Sequence, residues 1–205
     1  MQCFEWWCFE ILAIFAGMLS NSELAAQVAI INIITLLFMI PLGVQFAASS
    51  LVGIQIGAGN PLQAQKYAIT SIIFALLAMG ILVAFCQFHE DFVARLFTDD
   101  PTTVSFIKTV LPLMSLYLLI DTVHGVQTGN VRGLGKQGPA SIIILVCYYV
   151  CGVPLAIYLG FYRDWRLLGF WSGMLAAIAL SQILIAYLVM TADWNLSSEN
   201  EDGTV

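Results

Sequence analysis

The chain has 205 residues, 60% of them hydrophobic and 10% charged, with a mean hydropathy of +0.90 and a formal net charge of −6. Soluble domains run at roughly 45–50% apolar and 25% charged, so this composition excludes an ordinary soluble domain and marks a multi-pass integral membrane protein whose first partner is the lipid bilayer. The seven Lys and Arg are scattered rather than clustered, which excludes a nucleic-acid partner.

A helix needs about 20 predominantly apolar residues to cross the hydrocarbon core. Six segments qualify or nearly so, at roughly 2–19, 26–54, 66–88, 103–128, 139–160 and 167–191. The expected architecture is therefore all-α, a bundle of six transmembrane helices over residues 1–192. The polar acidic tail 193–205, "DWNLSSENEDGTV", is expected to be disordered.

The first segment carries "EWWCFE" at residues 5–10 and no basic leader, which speaks against a signal peptide. Its short apolar stretch suggests a chain that starts inside a helix, and so sets Glu5 and Glu10 toward mid-membrane. A charge at the bilayer centre costs at least about 2.5–3.5 kcal/mol, so either these acids lie near the interface and cost little, or the protein uses them. Glu5 and Glu10 stand about 140° apart at 100° per residue. That angle predicts a division of labour, one acid lining a cavity and the other holding a neighbouring helix. Trp6 and Trp7 suit either an interfacial belt or the aromatic wall of an organic-cation site.

"SNSE" at 20–23 supplies caps for the second span, and "GAGNP" at 57–61 ends it. Within that span Pro41 frees the Leu37 carbonyl and predicts a bend. Ser49, Gly53 and Gly57 form a stripe of small residues, the pattern by which membrane helices approach closely. The third span ends before "FTDDP", which places Pro101 at a helix start. The fourth is the most informative. Asp121 follows a long apolar run, with His124, Gly125 and Thr128 on the same face at i+3, i+4 and i+7. Lys108 lies nearer the helix end, where it can snorkel to the interface, so no basic residue of this span neutralises Asp121 at depth. Solvent access then decides whether Asp121 carries charge, as a proton-coupled carrier or a cation site requires. A structural acid, hydrogen-bonded to its neighbours, is the competing reading. His124 either shares that proton or serves as a hydrogen-bonded wall residue.

The fifth span is bent by Pro154. The sixth carries the stripe Gly169, Gly173, Ala177 and Ser181, read as close packing. Lys66, Arg132 and Lys136 fall on one side of the membrane, and Arg95, Lys108, Arg163 and Arg166 on the other, a balance that fixes no orientation. The five cysteines all fall in apolar segments with no disulfide or zinc spacing, so they read as packing residues; no metal site is expected. An intramembrane aspartyl protease would need a second aspartate in a G-x-G-D context, where "GLGK" has Lys136. The chain is not expected to be an enzyme.

Five blocks, in order and spacing, resemble the eukaryotic branch of the multidrug and toxic compound extrusion (MATE) family over nearly the whole chain. They are "EWWCFE", "IPLGVQFAASSLVGIQIGAGNPLQA", "LIDTVHGVQTGNVRGLGKQ", "YYVCGVPLAIYL" and "GFWSGM". The resemblance implies the C-terminal six-helix lobe of a twelve-helix transporter, with an N-terminal six-helix lobe as partner in the same chain or another copy. It implies efflux of small organic cations or other xenobiotics by antiport, driven by a proton gradient rather than sodium and without a cofactor. The plasma membrane or a vacuolar or vesicular membrane is the expected location. Glu5, Glu10 and Asp121 fall on the family's coupling and substrate-binding acids, and Asn32 falls where some animal members carry a further acid. Trp6, Asn32, Pro41 and His124 are candidates for cavity wall or gate, although His124 matches no family motif. The competing expectation is a truncated, non-transporting membrane subunit that only packs against a partner lobe.

Overall fold

Ser20, Pro61 and Pro101 decide where three of the long helices begin. The Ser20 hydroxyl accepts the Glu23 N–H at 3.2 Å and donates to the Glu23 carboxylate at 2.7 Å, an N-cap that satisfies one of the first-turn donors. Pro61 and Pro101 occupy first-turn positions, where a missing N–H is no loss. Asp100 caps the helix that Pro101 opens. Its carboxylate accepts the Thr103 hydroxyl at 2.6 Å and the Thr103 N–H at 2.9 Å. Those bonds, the hydroxyl's first, hold the Asp100 carboxyl below its ordinary range. The cap is therefore fully formed above the unfolded-state pKa and is lost as pH falls through the lower folded value.

The computed structural model describes residues 2–194. Its helices are α1 (Gln2–Leu19), α2 (Asn21–Gly57), α3 (Pro61–Phe88), a short α4 (Glu90–Arg95) and α5 (Pro101–Gly133). They are followed by α6 (Gln137–Tyr162) and α7 (Arg166–Met190). No strand occurs among the described residues. Five helices, α2, α3, α5, α6 and α7, are long and apolar enough to cross a membrane. The 18-residue α1 packs against α2, α6 and α7 as the sixth member of the bundle.

The caps extend the expected 26–54 to Asn21–Gly57 and the expected 103–128 to Pro101–Gly133. The turns that separate α2 from α3 and α5 from α6 use Gly59 at φ 71° and Gly135 at φ 70°. Helix α4 was not foreseen. Lys108 ties it to α5, with Nζ 3.0 Å from both Glu90 and Asp91. Lys108 is thus ion-paired rather than simply snorkelling. Of the tail, Asp193 and Trp194 lie among the described residues; the Trp194 indole donates to the Val189 carbonyl at 3.3 Å. The expectation of disorder over 195–205 falls outside them.

Helix α5 is the hub, in contact with α2, α3, α4, α6 and α7. It approaches α2 so closely that a Cβ added at Gly129 would collide with the Gln45 carbonyl. The α7 stripe acts likewise against α6: a Cβ on Gly173 would sit 2.5 Å from the Ala156 backbone. The α2 stripe is corrected in part, since Gly57 faces open space.

Pro154 is accommodated by a widened turn rather than a simple break. Residues Val146–Gly152 form a π-helical stretch in which the Val153 N–H reaches back to the Tyr148 carbonyl. Pro41 is buried inside α2, which runs unbroken past it. One tie escaped the sequence reading altogether. Arg166 grips the fully buried Glu23 with two bonds of 2.8 and 2.5 Å, joining the starts of α7 and α2. The turn into α7 that presents Arg166 to Glu23 has left-handed backbone at Asp164 and Arg166, φ 54° and 52°.

The close approach of α7 to α6 makes a prediction. Gly173→Leu should destabilise the bundle by roughly 1–3 kcal/mol or more, through overpacking. Gly80→Ala, where nothing lies within 4 Å of an added Cβ, should be neutral. Unfolding midpoints in detergent check both; equal midpoints would show that the α6–α7 contact yields freely.

Candidate functional site

Helices α1, α2 and α5 leave between them a cavity of about 270 Å³. From α1 come Glu5, Trp6, Phe9 and Glu10; from α2, Ile31, Asn32, Ile34, Thr35 and Phe38; from α5, Tyr117 and Asp121. The pairs Glu5/Phe9 and Tyr117/Asp121 are each four residues apart, so each helix presents one acid and one ring on the same face.

The acids converge. Glu5 Oε1 lies 3.8 Å from His124 Nδ1, and ligand-type atoms of Glu5, Asp121 and His124 all lie within 4.8 Å of one another. Asp121 and His124 are buried, and the Glu5 side chain is only 14% exposed. Among the described residues, the ion pairs of Lys108 and Arg166 are made elsewhere, with Glu90, Asp91 and Glu23. His124 Nε2 is hydrogen-bonded to Ser181 Oγ on α7 at 2.8 Å. This bond orients the imidazole and leaves Nδ1 toward the acids. Three groups at this spacing can share one proton, or hold the charged end of a cation.

An aromatic shell fixes the surroundings. Phe9, Tyr117 and Trp171 pack with ring centroids 5.7–5.9 Å apart. The Trp171 indole donates to the buried Gln27 carbonyl oxygen at 2.9 Å. Further along α5, the Gln45 amide donates to the Thr128 hydroxyl at 3.2 Å, so the polar stripe of α5 faces protein.

The structure resolves several alternatives. Trp6 lines the cavity, whereas Trp7 is 69% exposed and points away from the core. The two tryptophans therefore divide between wall and outer surface. The expected separation of Glu5 from Glu10 is corrected: both line the same cavity. Phe9 and Trp6, at about 40° and 100° from Glu5, fill the arc between them, so the wall of α1 is some 140° wide. Asn32 and Thr35 line the cavity one turn apart. Pro41 does not line it; it is buried about one turn beyond Phe38. His124 lies behind the acids rather than on the cavity surface. Tyr117, Phe9 and Thr35 were missed, although four-residue spacing from the acids could have found the two rings. Nothing in the sequence pairs His124 with Ser181, fifty-seven positions away.

Comparison with known proteins agrees with this architecture. The sequence matches the MatE family over residues 1–158. It is 40% identical over 203 residues to Multidrug and toxin extrusion protein 1 of Xenopus tropicalis, covering 97% of this chain and 35% of that protein. It is 32% identical over 196 residues to Protein DETOXIFICATION 14 of Arabidopsis thaliana, covering 95% and 40%. The fold matches a crystal structure of the eukaryotic MATE transporter AtDTX14 with a TM-score of 0.91 at 29% identity, covering 97% of this chain and 45% of that one. The chain thus spans 35–40% of the length of these curated relatives.

A buried acid without a basic partner contributes no ion-pair stability, whereas Tyr117 fills the aromatic cluster. Asp121→Asn should therefore leave the unfolding midpoint in detergent unchanged or raised at neutral pH. Tyr117→Ala should lose roughly 3–5 kcal/mol. A loss at Asp121→Asn as large as that at Tyr117→Ala would make the acid a structural element.

Proposed function

The chain belongs to the MatE family, and from that premise we propose that it forms a six-helix lobe of a secondary active transporter. It exports organic cations or other xenobiotics by antiport against protons. The observation that carries the reading is the convergence of Glu5, Asp121 and His124 within 4.8 Å, beside an aromatic-lined cavity. Two carboxylates beside an imidazole form a proton-exchanging set, which favours protons over sodium as the coupling ion.

In this mechanism the proton and the substrate compete. An organic cation entering the cavity lays its apolar part on Trp6, Phe9 and Tyr117, with cation–π contacts worth about 0.5–2 kcal/mol each. Its charge is balanced by Glu5 and Asp121, which must give up a shared proton to receive it. Glu10, at the exposed side of the cavity, draws the cation in, while Asn32 and Thr35 offer uncharged hydrogen bonds. Reprotonation on the other side of the membrane expels the substrate. Bending of α2 at Pro41 would move Thr35 and Phe38 against the acids, the kind of gating step that sets turnover. Alternating access moves one bundle against another around a fixed site. The expected partner is therefore an N-terminal six-helix lobe, in a plasma or vacuolar/vesicular membrane.

A second reading rests on the share of its relatives that the chain spans, about a third. Alone, such a chain would insert and pack against a complementary lobe without transporting.

The test is uptake of a fluorescent organic cation into liposomes with an acidic lumen. Co-expression of the chain with an N-terminal lobe should give saturable uptake that collapses when the proton gradient is dissipated. Asp121→Asn and Glu5→Gln should each reduce it to background, and Glu10→Gln should lower it severalfold. The chain reconstituted alone as a monomer should stay at background. Gradient-driven uptake that survives Asp121→Asn would overturn the assignment, and a lobe pair with no uptake would favour the packing-subunit reading.

A further inference from the structure

Below the acids, the facing surfaces of α5 and α7 hold polar groups that the transport site does not use. The Gln182 amide donates to Gln127 Oε1 at 3.0 Å, while its own Oε1 is buried with no partner among the described residues. Asn130 is 1% exposed, and neither its amide nitrogen nor its oxygen has a partner among them. Buried amides are met by protein or by water, and native proteins leave few unmatched. Gln127 and Asn130 border a second cavity, about 350 Å³, at the end of the bundle where α5 and α7 finish, and Gln182 is tied to it through Gln127. Gln65, Gln127, Asn130 and Trp194 line it, and it shares no lining residue with the cavity of the acids.

What makes these groups a route is that His124 and Gln127 both meet α7, at Ser181 and Gln182. Asp121, His124, Gln127 and Asn130 follow at three-residue steps, each turning about 60°, so the row winds around α5 from the acids to the second cavity. From Asp121 to Asn130 the helix rises roughly 13–14 Å, at 1.5 Å per residue. That is close to half of an approximately 30 Å hydrocarbon core. Near the start of this winding row His124 is bonded to Ser181, the residue that precedes Gln182 on α7. The second cavity has ample room for water, and its polar border supplies the two to four partners that a bound water needs.

We propose that the seam between α5 and α7 is a water-filled path that carries protons between the acid site and the membrane face near Arg132, through the second cavity. The proposal rests on the proton-coupled reading above and adds the route. Gln127, Gln182 and Asn130 hold the waters in line. An excess proton on the last water passes to the Ser181 oxygen as the Ser181 hydroxyl proton passes to His124 Nε2. The imidazolium then releases its Nδ1 proton to the Glu5 or Asp121 carboxylate. The imidazole is left protonated at Nε2 and is reset by ring rotation. No oxidant or other co-reactant is needed.

The test uses the chain co-expressed with an N-terminal lobe, in liposomes. Ser181→Cys introduces a thiol of nearly the same size beside His124. Its modification by aminoethyl methanethiosulfonate is followed by mass spectrometry of the peptide carrying position 181, which separates it from the five native cysteines. The path predicts modification, slowed at least tenfold when Asn130→Leu is added, because leucine keeps the bulk and removes the amide. Asn130→Leu by itself should lower proton-driven uptake about tenfold, with the affinity for a fluorescent organic cation in detergent unchanged within twofold. The affinity measurement also certifies that the variant is folded. No modification, or modification at the same rate with and without Asn130→Leu, would overturn the path. So would proton-driven uptake that Asn130→Leu leaves at the wild-type level, a result that keeps the coupling reading intact. Uptake indifferent to the proton gradient in every form, wild type included, would instead remove the coupling reading and the proton's route with it.

Discussion

Two carboxylates held inside a membrane protein beside an imidazole set the terms for the rest of the molecule. A lone charge at that depth is costly, and most ways of lowering the cost would abolish its use. A neighbouring lysine would lock Asp121 into a permanent ion pair. Among the described residues, Lys108 and Arg166 make their ion pairs with acids near the helix ends. Glu5 and Asp121 instead keep company with His124, with rings and with a cavity. Under the proposed function their charge is balanced in turn by a proton or a cation.

Holding that arrangement requires precise helix placement without help from a hydrophobic driving force, which lipid does not supply between helices. The fold uses close backbone contact. Gly129 admits α2 to the side of α5, and Gly173 admits α6 to the side of α7. The first of these brings Gln45 within reach of Thr128, and α7 packs on α5 with Ser181 hydrogen-bonded to His124. The aromatic group of Phe9, Tyr117 and Trp171 then braces α1 against α5 and α7. The Glu23–Arg166 pair fastens the opposite end of α2 to α7. These contacts surround the acids, and Pro41 sits in the wall helix α2 just beyond the cavity.

Much of this was legible in the sequence because membrane crossing leaves a strong local signature. Long apolar runs, the capping segment at Ser20, and prolines at helix starts are read within a few positions. Asp121 was equally plain, since a carboxylate in an apolar helix has few innocent explanations. What stayed hidden depends on which helices meet. The spacing of Glu5 and Glu10 gives their angle correctly, yet says nothing about the width of the cavity, and both acids line it. Ser181 belonged to a stripe of small residues, and only the packing of α5 on α7 shows its hydroxyl at work. Arg166 was a charge near a membrane face until the left-handed backbone at 164 and 166 carried it to Glu23. The π-helical turns of α6 were invisible for a different reason: proline signals a disturbance without saying whether a helix will bend or widen.

The central claim is that one set of buried acids holds either a proton or an organic cation and exchanges one for the other. The most direct measurement is the number of protons released when cation binds. It is read by titration calorimetry at one pH, in buffers of different ionisation enthalpy, on the chain paired with an N-terminal lobe. The account predicts a release approaching one proton per cation bound near neutral pH, falling toward zero in alkaline buffer, where the acids are already ionised. Tight cation binding with no proton released at any pH would contradict it.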